Sequence, residues 1–111
     1  MASFDLDAVF ATTLDQSKGL AKTLFKKFAD QAANDTRDFL DRSREGIARA
    51  TTLFIDGQID EEDLEDLILG KKDLAQMHAL KQAGLASAAV DTFTNGVLQI
   101  LVDAVFAAIK L

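Results

Sequence analysis

The densest group of reactive side chains is residues 60–66, the acidic segment, which carries six carboxylates and no base. Carboxylates can gather a hard cation such as Ca²⁺ or supply paired acids for proton transfer. In a short helix, however, these side chains point around the axis, and the sequence holds no second acidic helix to complete an inward-facing metal cage. The acidic segment therefore predicts the solvated start of a helix, where carboxylates interact favourably with the positive end of the helix dipole.

The residues before the acidic segment resemble the second half of an EF-hand calcium-binding loop, with Asp56-Gly57-Gln58-Ile59 followed by Asp63. In that alignment the first two ligand positions fall on Thr52 and Phe54, which carry no carboxylate, and Asp63 replaces the closing glutamate. A turn between helices, in which Asp60 and Asp63 cap the next helix reciprocally, explains the same residues. We therefore expect no metal ligands, and a degenerate EF-hand-like metal-binding module ranks third among the functions considered.

The inventory of catalytic side chains is thin. His78 is the only histidine, and the sequence holds no cysteine, tyrosine or tryptophan. One imidazole cannot build a zinc site alone, and a nucleophilic mechanism needs an activated hydroxyl or thiol beside its base. Ser87 and Thr92 are explained as residues at a helix start. We therefore expect no catalytic residue, no cofactor and no enzymatic activity.

Composition favours an all-α protein of one domain, residues 1–111, because the chain is short, contains no proline and has few β-branched runs. Its net charge of −6 argues against a nucleic-acid partner, which would require clustered cations. The lack of cysteine fits a reducing compartment, and the N-terminus lacks the basic and apolar pattern of a signal peptide. We therefore expect a cytoplasmic protein.

The most apolar stretch is residues 87–111, and everything upstream is expected to cover it. Only a narrow line stays polar on the predicted helix, so the helix must be buried almost all round; the line runs through Thr92, Asn95, Gln99, Asp103 and Lys110. Asp103 would cost roughly 3 kcal/mol in the middle of a bilayer, so no transmembrane span is expected. Because a chain of this length should leave part of the helix uncovered, we predict that a second copy covers the rest.

The N-terminal half predicts two long helices that pack as an antiparallel pair. Helix one should span about residues 4–33 and carry Leu24 on its buried stripe. A break at Asn34-Asp35 should start helix two, with Asp35 as its cap. Gly19 and Gly46 then lie at about the same distance from the turn, so we expect close approach of the two helices there.

The following residues predict a shorter helix over residues 61–69, which should bury Leu64, Leu67 and Ile68. A further helical segment from Asp73 and the apolar stretch complete the chain. The sequence leaves open whether three glycine positions break these helices or only kink them. The positions are Gly70, Gly84 and Asn95-Gly96.

The second half of helix one carries a run of lysines beside Phe25 and Phe28. We call Lys18, Lys22, Lys26 and Lys27 the basic segment. As part of an amphipathic helix it could lie on an anionic membrane or another lipid-coated surface. We favour contact with the acidic segment, within the chain or across a dimer, because these two segments are the exceptions in a chain whose other charges balance locally.

The sequence thus predicts an antiparallel helical bundle of about four to five helices, with a long apolar C-terminal helix, that forms a homo-oligomer. The predicted oligomer interface comprises Val90, Phe93, Val97, Ile100, Leu101, Val105, Phe106 and Ile109. The predicted charged contact surface comprises Lys18, Lys22, Lys26, Lys27, Asp60, Glu61 and Glu62. The expected function is that of a non-enzymatic structural or interaction module. The alternatives are an unidentified protein partner and peripheral binding to a lipid surface or hydrophobic granule.

Overall fold

Five α-helices and one short 3₁₀ helix make up residues 4–109, the part of the chain that the computed structural model describes. The α-helices are α1 (Leu6–Phe25), α2 (Ala29–Ile55), α3 (Glu61–Leu69), α4 (His78–Gln82) and α5 (Ser87–Ile109). The 3₁₀ helix, Gly70–Leu74, follows α3 directly. No strand occurs within residues 4–109, and the all-α prediction is confirmed.

The turn between α1 and α2 lies at residues 26–28, where Lys26 takes a left-handed φ of 54°. The predicted break at Asn34-Asp35 is wrong, because both residues lie inside α2. Asp35 caps a different helix instead. Its carboxylate oxygens accept hydrogen bonds from the backbone N–H groups of Ala79 and Leu80, at 2.9 and 2.8 Å. Asp35 therefore caps a helix, as predicted, but that helix is α4, which is distant in the sequence.

Two aromatic pairs give the directions of the long helices. Phe25, the last residue of α1, packs edge to face on Phe93 near the start of α5, with ring centroids 5.5 Å apart. Phe54, near the end of α2, packs on Phe106 near the end of α5 at 6.0 Å. α5 therefore runs antiparallel to α1 and in the same direction as α2. We name the two ends of the fold, which is 45 Å long, the Phe25 end and the Phe54 end.

The chain returns from the Phe54 end to the Phe25 end through α3, the 3₁₀ helix and α4. α3 ends at Leu69, and the 3₁₀ helix begins directly at Gly70. Met77 precedes α4 with a left-handed φ of 52°, although its side chain is buried. The two hydrogen bonds to Asp35 hold α4 beside the first turns of α2, and Gly84, with a φ of 90°, follows α4.

α5 buries one of its sides against the rest of the chain. Its buried residues are Val90, Phe93, Thr94, Val97, Leu98, Leu101, Val102 and Val105. Its exposed residues are Ser87, Ala88, Asp91, Thr92, Asn95, Gln99, Asp103 and Ala107, so the polar line from Thr92 to Asp103 faces solvent as the sequence indicates, and Lys110 lies outside the described residues. By length and composition α5 could cross a membrane, a property that the core helix of a soluble protein shares. The fold leaves no large apolar side chain of α5 fully exposed.

The predicted close approach of α1 and α2 at two glycines is wrong. Gly19 is exposed, and a Cβ atom there would meet no atom within 4 Å. Gly46 faces the side chain of Lys71 rather than α1. The close contact joins α1 to α5 instead, because a Cβ atom at Gly96 would collide with the side chain of Leu20. α5 continues through Gly96 without a break.

Candidate interaction surfaces

The acidic segment begins α3 and uses its carboxylates as caps. An Asp60 carboxylate oxygen accepts from the backbone N–H of Asp63 at 2.8 Å, and Asp63 accepts from the N–H of Asp60 at 3.2 Å, so the predicted reciprocal cap is confirmed. Gly57 takes a φ of 77° in the preceding turn. Within residues 4–109, no three acidic or histidine side chains converge in a way that could hold a metal ion. The turn that resembles an EF-hand thus acts as a helix start.

His78 is exposed at the start of α4, and its Nε2 atom lies 2.6 Å from the side-chain oxygen of Gln76. This partner is a neutral amide, whereas a catalytic histidine is usually oriented by a carboxylate. Ser87 is the first residue of α5, and Thr92 donates its hydroxyl hydrogen to the carbonyl of Ala88 at 2.9 Å. These side chains have local structural roles, and the geometry does not assemble them into one site.

The predicted oligomer interface on α5 falls mostly inside the chain's own core. Five of its residues, Val90, Phe93, Val97, Leu101 and Val105, are buried, and Ile100, Phe106 and Ile109 are partly buried. A second copy could contact only the latter three without rearranging the core. Most of the predicted interface is thus occupied by the chain's own core, and contact between copies through the rest of α5 stays a prediction.

The two predicted charged surfaces lie at opposite ends of the fold. Within the basic segment, Lys18 and Lys22 lie in the last two turns of α1 and Lys26 and Lys27 in the turn after it, at the Phe25 end, whereas the acidic segment follows α2, at the Phe54 end. The thirteen helical steps from Phe93 to Phe106 in α5 span about 20 Å, which exceeds the range of a direct ion pair. The prediction that the two segments contact each other within one chain is therefore wrong. Their contact between two copies stays a prediction.

Two large apolar side chains are exposed in the part of the chain that the structure describes, and both were expected to be buried. Leu24 lies on α1 among the lysines of the basic segment and is 39% exposed. Leu67 lies on α3 and is 42% exposed, whereas Leu64 and Ile68 are buried. Residues 64 and 68 are four apart and define the buried face of α3. Leu67 lies at the edge of that face, where spacing alone does not decide burial.

A groove of about 230 Å³ runs between α2 and α3 and contains Leu67. It is lined by Gly46, Arg49, Ala50, Leu53, Leu67 and Lys71. The ammonium group of Lys71 lies over Gly46, about 2.5 Å from where a Cβ atom would stand. Among the described residues, neither Arg49 nor Lys71 forms an ion pair. The groove thus combines an exposed leucine with two cations that lack a carboxylate partner.

The other grooves differ in charge. Between α1 and α2, Arg44 forms an ion pair with Asp7 and lies 5.5 Å from the centre of the Phe10 ring, so this cation is already paired. The groove between α1 and α5 has a volume of about 370 Å³ and is lined mainly by small residues, with Asp5 at its edge.

No known protein family, curated protein or solved structure matches this chain. Functional inference therefore rests on the surfaces described above.

Proposed function

We propose that this chain is a non-enzymatic, cytoplasmic structural or interaction module, built as an antiparallel helical bundle and acting as a homo-oligomer. The observation that carries the proposal is the groove between α2 and α3, where Leu67 is exposed beside two cations that form no ion pair within residues 4–109. Burying a leucine side chain favours association by about 1.5–3 kcal/mol. The cations favour an acidic partner, and the acidic segment of a second copy of this chain supplies six carboxylates.

The directions of the helices support the bundle part of the proposal. The chain runs alternately between the two ends of the fold, as it does in an up-and-down bundle. It runs to the Phe25 end in α1, to the Phe54 end in α2, back through α3 and α4, and to the Phe54 end again in α5. Because most of the predicted interface on α5 is buried within the chain, we place the proposed contact between copies on other helical faces. The proposed module therefore keeps a preformed core and presents its working surface on α2 and α3.

The experiment is the absolute mass of the purified protein by light scattering after size exclusion, over a concentration series and with and without anionic vesicles. A discrete oligomer, with a mass that is a multiple of 12.0 kDa and does not change with vesicles, supports the proposal. A protein that stays monomeric at the highest concentration contradicts it.

The exposure of Leu24 favours one second candidate, peripheral binding to an anionic lipid surface. Leu24 is flanked by Lys22, Lys26 and Lys27, all of which are exposed at the Phe25 end. An exposed leucine can enter the headgroup region while neighbouring lysines contact anionic lipids. Cosedimentation with anionic vesicles, and not with zwitterionic ones, would support this candidate. No binding to either type of vesicle, or equal binding to both types, would contradict it.

A further inference from the structure

Three residues mark the side of α3 and of the 3₁₀ helix that borders the groove: Asp63, Leu67 and Lys71. Asp63 and Leu67 lie four apart on the same side of α3, and Lys71, in the 3₁₀ helix, lines the same groove as Leu67. The stripe therefore reads acid, leucine, base along the chain. Asp63 and Leu67 are exposed and Lys71 is partly buried, so the surface above this stripe is open at the groove between α2 and α3.

We propose that this stripe is the contact between two copies of the chain, related by a two-fold axis at Leu67. The inference rests on the proposed self-association and names its surface. A two-fold contact uses the same patch on both copies, so the patch must complement itself. When two such stripes pack antiparallel, Leu67 meets Leu67 of the second copy. Each Asp63 then lies opposite Lys71, and each Lys71 opposite Asp63.

The charges on the stripe are available for this contact. Lys71 has no ion pair among the described residues, and neither does Arg49, which lies in the same groove. Asp63 accepts one hydrogen bond, from the backbone N–H of Asp60, and a carboxylate has about four acceptor positions. Asp63 can therefore keep its capping role while it binds a cation of the second copy.

The local structure explains why the cation stands at the groove. Gly46 has no side chain, so the long side chain of Lys71 lies across α2 instead of extending into solvent. Arg49 is on the same face of α2, one turn further along. Together they make a positive surface at the side of α3, opposite in sign to the acidic first turn of that helix. An antiparallel second α3 places its acidic turn on this positive surface.

The contact is small. α3 has nine residues, and the groove adds only part of α2, so the area buried is below that of a standard stable interface. We therefore expect a dissociation constant in the micromolar range or weaker, with the leucine pair as the centre of the contact. A dimer of this kind forms and dissociates with protein concentration, which a concentration series resolves.

The test uses two charge variants of the full chain, Asp63→Lys and Lys71→Glu. Each alone places like charges opposite each other in the proposed dimer, so each is expected to be monomeric. When the two variants are mixed, both contacts are again between opposite charges, and a heterodimer is expected. A folding defect in either variant could not be repaired by mixing, and circular dichroism checks that each retains its helices.

A second pair of variants tests the apolar centre without changing charge. Leu67→Ser is expected to raise the dissociation constant about tenfold, whereas Leu24→Ser, at the other exposed leucine, should leave it unchanged. If Asp63→Lys does not fold, the comparison of Leu67→Ser with Leu24→Ser still tests whether the stripe is the contact. If the wild-type chain is an oligomer that Leu67→Ser and Lys71→Glu leave intact, the stripe is not the contact, although self-association stands. If the wild type is monomeric, both proposals fail.

Discussion

Replacing Asp35 with alanine should weaken the fold more than its position on a polar helix suggests. The Asp35 side chain is 7% exposed, and its carboxylate accepts from the N–H groups of Ala79 and Leu80. A hydrogen bond to a charged group contributes about 1.5–3 kcal/mol, and the two bonds are not additive, because both amides donate to one carboxylate. We expect Asp35→Ala to lower the free energy of unfolding by about 3 kcal/mol. That is a large share of the roughly 5–15 kcal/mol typical of small proteins.

Urea denaturation followed by circular dichroism measures this change, and the melting temperature should fall by roughly 10 °C. The matched control is Asp38→Ala on the same helix. Asp38 forms an exposed ion pair with Arg42 at 2.9 Å, and such pairs contribute at most about 1 kcal/mol. Asp35→Asn should lie between the two, since its amide oxygen can still accept. The assignment of Asp35 as the cap of α4 would be refuted by equal stabilities of Asp35→Ala and Asp38→Ala.

Three further predictions follow from the described surfaces. Gly96→Ala should lower the melting temperature, because its Cβ atom meets Leu20, whereas Gly19→Ala should raise the free energy of unfolding by about 0.5–1 kcal/mol, since nothing lies near it. Lys26→Glu combined with Lys27→Glu should leave the mass of the assembly unchanged, because the proposed contact at Leu67 does not include these lysines, and it should reduce binding to anionic vesicles only if the second candidate holds. A lower mass would instead support contact between the basic end of one copy and the acidic end of another. Millimolar calcium or a chelator should leave the melting temperature unchanged, and a calcium-dependent rise would revive the EF-hand interpretation.

The sequence predicts those parts of the fold in which local and tertiary demands agree. The capping box of Asp60 and Asp63 needs only residues three apart, and it occurs as expected. The polar line through Asn95, Gln99 and Asp103 faces solvent, because a single exposed line is what the surrounding helices leave open. In both cases the relevant contacts are either within one helix or a simple consequence of its apolar pattern.

The remaining features depend on partners that are distant in the sequence. Asp35 has the capping propensity that the sequence indicates, but its amide partners lie more than forty residues away, so local reasoning assigned it to the wrong helix. Gly19 and Gly96 are both glycines within helices, and only the tertiary contact with Leu20 distinguishes them. Leu67 is at the edge of a buried face, where the apolar pattern of α3 alone does not decide exposure.

The separation of the acidic and basic segments gives the molecule an electric dipole along its long axis, with the negative pole at the Phe54 end and the positive pole at the Phe25 end. A dipole of this kind turns in the field of a charged surface before any contact forms. An anionic surface would therefore repel the molecule as a whole, through its net charge of −6, while rotating the lysines and Leu24 toward itself. Such encounters would be infrequent but already correctly oriented, and salt would weaken both the repulsion and the alignment.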